Sequence, residues 1–147
     1  MKIKTKYFDE ITYEEGDILS IPGGLFGFEK YTKFLTIPFN ESNDSMISLQ
    51  SLDNPELSFI LMNPFQLYND YSPILSAEDL GFFKGTKEED LSYYVIAVLK
   101  DTLADSTINL KAPLVLNAMT RTGIQVILDQ EEYKFRHKFP SIQSKEV

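Results

Sequence analysis

The chain has 147 residues and 16.9 kDa, which is room for one domain, and a chain of that length buries roughly 70% of the surface its unfolded form exposes. Hydrophobic residues make up 43% and charged residues 24%, which excludes disordered and fibrous classes, and the absence of cysteine excludes disulfides and thiolate metal sites. Fourteen Lys and Arg against 22 Asp and Glu give 14 − 22 = −8, a balance that disfavours direct nucleic-acid binding and points to a basic partner.

In chain order, Met1–Tyr7 alternates Lys2, Lys4 and Lys6 with Ile3, Thr5 and Tyr7, the period-2 pattern of a strand with one wet face. The residues after it form no apolar run, so no secretory signal is expected, and no stretch approaches the ~18 residues of a membrane span. A cytoplasmic protein with no membrane partner is the expectation. Ile18–Ile21 reads as a short strand. It leads into Pro22-Gly23-Gly24-Leu25-Phe26-Gly27-Phe28-Glu29, which lacks the Lys-Ser/Thr of a phosphate loop and predicts a tight bend whose Leu25, Phe26 and Phe28 plug a barrel end.

Phe34–Ile37, Met46–Gln50, Leu57–Met62, Tyr93–Leu99, Thr107–Leu110, Leu114–Leu116 and Ile124–Leu128 are predicted strands, rich in β-branched and aromatic residues and bounded by Gly, Pro, Asn or Asp. Leu57–Met62 and Tyr94–Leu99 are apolar nearly throughout, as strands covered on both faces are. Between them, Asn63–Pro73 breaks regular structure while presenting Phe65, Leu67, Tyr68 and Tyr71, large apolar side chains that serve equally as a roof over the core or as interface anchors. Ser76-Ala77-Glu78-Asp79 signals a helix start, with the helix running to about Phe83 and stopping near Gly85; a short turn over Thr86–Leu91 is a weaker signal. The fold class is therefore mainly β, a single small antiparallel β-barrel-like domain with one or two short helices over residues 1–136 and a C-terminal tail over 137–147.

Charge is segregated. From Phe34 to Phe83 there is no Lys, Arg or His, but there are seven acids: Glu41, Asp44, Asp53, Glu56, Asp70, Glu78 and Asp79. Glu88, Glu89 and Asp90 extend the run. Such a run is either a solvated face or a surface that steers a basic protein partner.

Catalytic material is thin. His137, the single histidine, sits in Arg136-His137-Lys138 and reads as a solvated tail residue. Asp9/Glu10, Glu14/Glu15 and Glu88/Glu89/Asp90 are sequence neighbours, which on a strand face opposite ways, so they make poor acid–base pairs. Asn40, Ser42 and Asp44 imitate part of a calcium loop without its glycine or terminal glutamate. No enzyme, metal or cofactor is expected.

Five blocks, taken together in order, resemble the FliW family of flagellar assembly factors: Ile21–Glu29, Leu49-Gln50-Ser51, Phe59–Pro64, Asn109–Asn117 and Gln125–Leu128. Phe26 departs from the pattern, which usually carries proline there. The resemblance covers roughly Ile3 to Arg136. It implies a non-enzymatic protein that binds flagellin and, once flagellin is exported, binds the CsrA-type translational repressor and relieves repression of flagellin synthesis. Phe28, Glu29, Gln50, Asn63, Phe65, Tyr68, Asp70, Tyr71, Glu78, Asp79, Glu88, Glu89 and Asp90 are the candidate partner-binding residues. Gly23, Gly24, Gly27, Pro64 and Pro113 shape backbone, and Gln50 and Asn117 are residue types that often staple loops. The alternative is a small-molecule-binding barrel with Gln50, Asn63, Tyr68 and Tyr71 at its mouth. A hydrolase using paired acids lacks any organised nucleophile and base.

Overall fold

In β5 (Asn43–Ser51) Ile47 and Leu49 face one way and Ser48 and Gln50 the other. This alternation, carried from strand to strand, wraps a sheet around the first set. The computed structural model describes residues 1–40 and 43–140. Glu41 and Ser42 lie outside the described residues, as does the side chain of Asp44. The segment 141–147 of the expected tail is outside them as well.

Seven strands close a ring: β3 (Leu19–Ser20), β4 (Lys33–Asn40), β5, β6 (Ser58–Met62), β7 (Ser92–Val98), β9 (Leu114–Asn117) and β10 (Thr122–Gln125). The order round the barrel is β7-β6-β5-β4-β3-β10-β9, and β9 returns to β7 through Ser92↔Leu116, Tyr93↔Val115 and Tyr94↔Leu114. Pairing is antiparallel except at β3–β10, which meet in parallel at Thr122↔Ser20. Past Ala97, β7 leaves the ring to pair with β8 (Thr107–Ile108), which in turn pairs with β11 (His137–Lys138).

The ring has a core on each side of one wall. Leu19, Phe34, Ile47, Leu49, Leu61, Tyr94, Leu114 and Leu116 fill the interior. Val95, Ala97, Val115 and Val126, with Ile60 and Ile124, form a second core on the outer face of the wall, capped by Tyr71, Leu75, Phe83, Leu91, Ile108, Leu110 and Leu128. Two covered faces explain why β6 and β7 carry so few polar residues. Gly123 sits opposite Leu116 at closest approach: a Cβ there would run into Leu116 Cδ2 and stand 2.9 Å from Val115 O.

The first strand is shorter than predicted, and its partner was not anticipated: β1 (Lys2–Lys4) pairs with β2 (Glu10–Thr12), Ile3 opposite Ile11. This hairpin lies outside the ring and leans on β4 through Phe8 and Tyr7, whose rings stand 5.1 and 5.7 Å from that of Phe39. Gln50 ties hairpin to barrel. It is fully buried, its Oε1 accepts from Lys6 N at 2.9 Å, and its Nε2 points into the carbonyls of Ser51, Asn54, Pro55 and Leu57 at 3.1–3.4 Å.

The predicted bend is present, with one correction. Leu25 is buried in the interior core, but Phe26 and Phe28 are 49% and 38% exposed and do not plug it. Gly24 (φ +67°) and Gly27 (φ +88°) adopt left-handed backbone, and Gln125 anchors the bend by accepting from Phe26 N at 2.9 Å while donating to Ala112 O. Three further differences concern local chemistry. Asn63-Pro64 starts a short helix, α1 (Pro64–Leu67), because Asn63 caps it and Pro64 occupies its first turn. β10 begins at Thr122, earlier than Ile124; Val126 and Leu128 instead hydrogen-bond Pro113 O and Lys111 O as loop residues. The sheet also continues past residue 136: His137 pairs with Ile108, and Phe139 packs on the outer core. The second helix, α2 (Ala77–Phe82), follows its capping signal, with Ser76 Oγ accepting from Asp79 N at 3.0 Å. No helix among the described residues is long and apolar enough to cross a membrane.

Candidate partner-binding surface

β6 separates the candidate residues into two groups. Its first residue follows the β5–β6 turn, and its last leads into the insertion 63–91. Phe28, Glu29 and Gln50 gather at the turn end, where the Phe28 ring meets Phe59 edge-on at 5.0 Å. Asn63 and the residues after it lie at the other end, five residues along β6, or roughly 16 Å at strand rise. Asp53 and Glu56, on the turn, are divided in the same way from Asp70, Glu78, Asp79 and Glu88–Asp90. A small-molecule mouth combining Gln50 with Asn63, Tyr68 and Tyr71 is therefore not assembled.

At the turn end, Glu29 is exposed and its carboxylate accepts from Gly27 N at 3.0 Å. That bond, with a second from its own backbone N–H, holds its pKa below the ordinary carboxylate value.

At the insertion end the rings divide between packing and exposure. Tyr71 is 3% exposed; its hydroxyl donates to Leu110 O at 2.8 Å and its ring lies 4.7 Å from Tyr133, so it roofs the core and offers a partner little surface. Burial, with Tyr133 and Tyr93 nearby, raises its pKa. Tyr68 is half-buried and donates to Lys138 O at 2.7 Å, which ties α1 to β11. Burial raises its pKa as well. Asn63 Oδ1 is engaged as the cap, accepting from Phe65 N at 2.9 Å. Phe65, 41% exposed, is held edge-on against Tyr93 at 5.9 Å and tilted on Tyr71 at 5.7 Å, which leaves one flank free. Tyr93 has its own pKa raised, by burial first and by Glu88 second.

Residues that the sequence reading did not single out complete this surface. Ile74, Leu80 and Phe82 are 66%, 37% and 40% exposed, although Leu75 and Phe83 beside them are buried. Gln130 fixes Ile74 in place, accepting from Ile74 N at 2.9 Å and donating to Ser72 O at 2.8 Å, and Tyr133 Oη accepts from Ser72 N. The paired aromatics Phe82-Phe83 carried the only sequence signal, since on a short helix adjacent positions cannot both face inward. Around these apolar groups stand Asp70, Glu78, Glu88, Glu89 and Asp90, all exposed, and the half-buried Asp79. Segment 63–91 holds six acids against Lys84 and Lys87, a net 2 − 6 = −4, half the charge of the whole chain. Fixed apolar anchors ringed by acid can bind a cationic protein surface; nothing in this arrangement pairs a nucleophile with a base. Among the described residues no cluster of three or more His, Asp or Glu is placed to hold a metal.

Comparison with known proteins gives one consistent result. Residues 2–139 match the family model described as FliW protein. The chain is 39% identical over 141 residues to the flagellar assembly factor FliW of Geobacillus kaustophilus (strain HTA426), covering 95% of this chain and 96% of the relative. It is 34% identical over 137 residues to that of Caldanaerobacter subterraneus subsp. tengcongensis, covering 93% and 91%. A crystal structure titled as the flagellar assembly factor FliW superposes with a TM-score of 0.87 at 37% identity, covering 96% of this chain and 99% of that one.

Proposed function

The chain belongs to the FliW family, and from that premise we propose that it is a non-enzymatic, partner-switching flagellar assembly factor of the cytoplasm. It binds flagellin before export. When flagellin leaves, the freed factor binds the CsrA-type translational repressor and relieves repression of flagellin synthesis, without touching nucleic acid or membrane itself. The observation that carries this reading is the insertion 63–91, whose exposed Phe65, Ile74, Leu80 and Phe82 stand among six acids. A repressor that grips RNA must present cations to phosphate, and an acidic surface with apolar anchors complements it in charge. Of the thirteen candidate residues, Gln50 and Tyr71 act in this scheme only by positioning, because both are buried. The exposed acids and Phe65 make the contact.

Two titrations test the proposal. Purified flagellin and purified repressor should each form a stoichiometric complex by size exclusion, and saturating flagellin should displace the repressor. Repressor affinity should weaken on the order of tenfold between 50 and 500 mM salt, since surface charges separated by more than a Debye length are screened. The triple variant Glu88→Lys, Glu89→Lys, Asp90→Lys should abolish most of that salt dependence, whereas Phe82→Ala should lower affinity and leave the salt slope intact. Failure of both proteins to bind, or binding of both at once without interference, refutes the switch.

A further inference from the structure

β3 is too short for its neighbour. It opposes β4 only at Leu19↔Phe34 and Ser20↔Lys33, while β4 runs on to Asn40. Upstream of β3 the chain turns away: Glu14 N donates to Asp17 Oδ2 at 2.9 Å and closes a single turn over Glu15–Asp17. The N-terminal hairpin stands alongside but forms a sheet of its own, with no rung to β4. Between these parts lies a cleft of about 430 Å³, within the range of small-molecule sites. Ile11, Tyr13, Leu35 and Ile37 give it apolar walls, and Arg121 reaches it from the β9–β10 connection.

The Arg121 backbone is fastened, its N–H donating to Asn117 O at 2.9 Å and its carbonyl accepting from Ser20 N. Its guanidinium is only partly engaged. Nη2 commits its two protons, to Asp17 O at 2.9 Å and to Thr36 Oγ1 at 3.3 Å. Of the remaining N–H groups, the one on Nε and both on Nη1 have no acceptor among the described residues, and Nε is buried. Neither partner is an acid, and the Asp17 carboxylate is turned to Glu14 N. A half-buried cation therefore stands without a counter-ion among the described residues, in a chain of net charge −8. Thr36 Oγ1, which also lines the cleft, accepts from Nη2 and keeps its own proton to donate.

We propose that this cleft binds a small-molecule monocarboxylate with an apolar body. The carboxylate accepts from Arg121 Nη1 and from the Thr36 hydroxyl, and the hydrocarbon lies against Ile11, Leu35 and Ile37. One guanidinium matches one negative charge. A phosphate dianion would set its second charge against Asp17, which lines the cleft, with Glu14 and Glu15 close by in the chain. A neutral ligand would leave the guanidinium unpaired, and a carboxylate without a body would leave the apolar walls wet. None of the thirteen candidate partner residues lines the cleft, so the site stands or falls independently of the partner switch.

The probe is hexanoate, titrated at neutral pH into the full chain, with the Arg121 Nε–H resonance and the thermal midpoint as readouts. The resonance should shift along a saturating curve, and the midpoint should rise with the same apparent affinity. Hexanamide and acetate should each bind roughly tenfold more weakly, the first for want of a charge-assisted contact and the second for want of the apolar body. Hexyl phosphate should also bind more weakly than hexanoate. Arg121→Lys should lose roughly tenfold in affinity for hexanoate, since an ammonium cannot replace the planar fork. Because Arg121 also fastens the ring, Thr12→Glu supplies a second variant. Thr12 is exposed on the cleft wall, and an acid there should weaken hexanoate severalfold while leaving the ligand-free midpoint unchanged. Asp17→Asn, whose amide oxygen can still accept from Glu14 N, should narrow the lead of hexanoate over hexyl phosphate. Absence of a saturable shift at Arg121, equal affinity for hexanamide, or unchanged hexanoate affinity in Thr12→Glu overturns the proposal.

Discussion

Gly24 shows how much one residue carries in this fold. It combines a φ of +67° with the nearest backbone approach in the bend: a Cβ would stand 2.6 Å from both Glu29 Cα and Glu29 O. Gly27, three residues on, has a φ of +88° and open space around it. Both positions penalise an L side chain by about 1–2 kcal/mol through conformation alone, but only Gly24 adds a clash with backbone that cannot rotate away. Gly24→Ala should therefore lose on the order of 3 kcal/mol in urea denaturation and Gly27→Ala about 1 kcal/mol; equal losses would mean that the bend relaxes around the new methyl. Gln50 is the polar counterpart. Its amide protons sit among four carbonyls, so its role is to close the β5–β6 turn and hold the N-terminal hairpin. A buried amide was readable from Leu49-Gln50-Ser51 as a staple, whereas the four carbonyls it serves come from a turn whose path only the tertiary structure fixes.

Among the elements, β11 is held least by its own length and most by one side chain. His137 Nε2 accepts from Lys134 N at 2.7 Å, and its ring lies edge-on to Tyr68 at 6.2 Å, while Tyr68 Oη binds Lys138 O. Acceptance at Nε2 requires the neutral imidazole. Burial first, and the Lys134 charge second, push the His137 pKa below its ordinary value of 6.5. The folded chain then binds fewer protons than the unfolded one, so the stability His137 contributes is full above about pH 6.5 and is lost as pH falls through the depressed value. The thermal midpoint should drop between pH 7.5 and 5.0, and by less in His137→Gln, whose amide oxygen can still accept from Lys134. An equal drop in both proteins would assign the effect to carboxylates instead. The sequence concealed this strand because two residues are too few to show a period, and its partner Ile108 lies far upstream. Long strands with β-branched and aromatic runs, and the Ser76 cap, were legible because their signals are local.

At the scale of the whole molecule, the barrel class followed from many short strands, but the two cores did not. That β6 and β7 are covered on both faces was visible in their composition; that the outer cover is built from residues 71–91 and 108–139 required the topology. The candidate surface behaved in the same way. The acids from Phe34 onward form one run in sequence and two groups in space, because β6 carries the chain from one end of the barrel to the other. The ring itself is completed by a rivet. β3 and β10 touch at a single register position, reinforced by Ser20 N on Arg121 O at 2.9 Å and by the Arg121 guanidinium on Asp17 O at 2.9 Å. Arg121 holds left-handed backbone, φ 57°, at this junction, and its buried Nε has no partner among the described residues. Every other junction in the hoop is a ladder of three or more rungs or, at β3–β4, a pair. A hoop parts where it is fastened once. Breathing motions of the native state should begin there and swing β3 away from β10, so the Ser20 amide should take up deuterium well before Leu49 or Leu61, at a rate that Arg121→Ala accelerates.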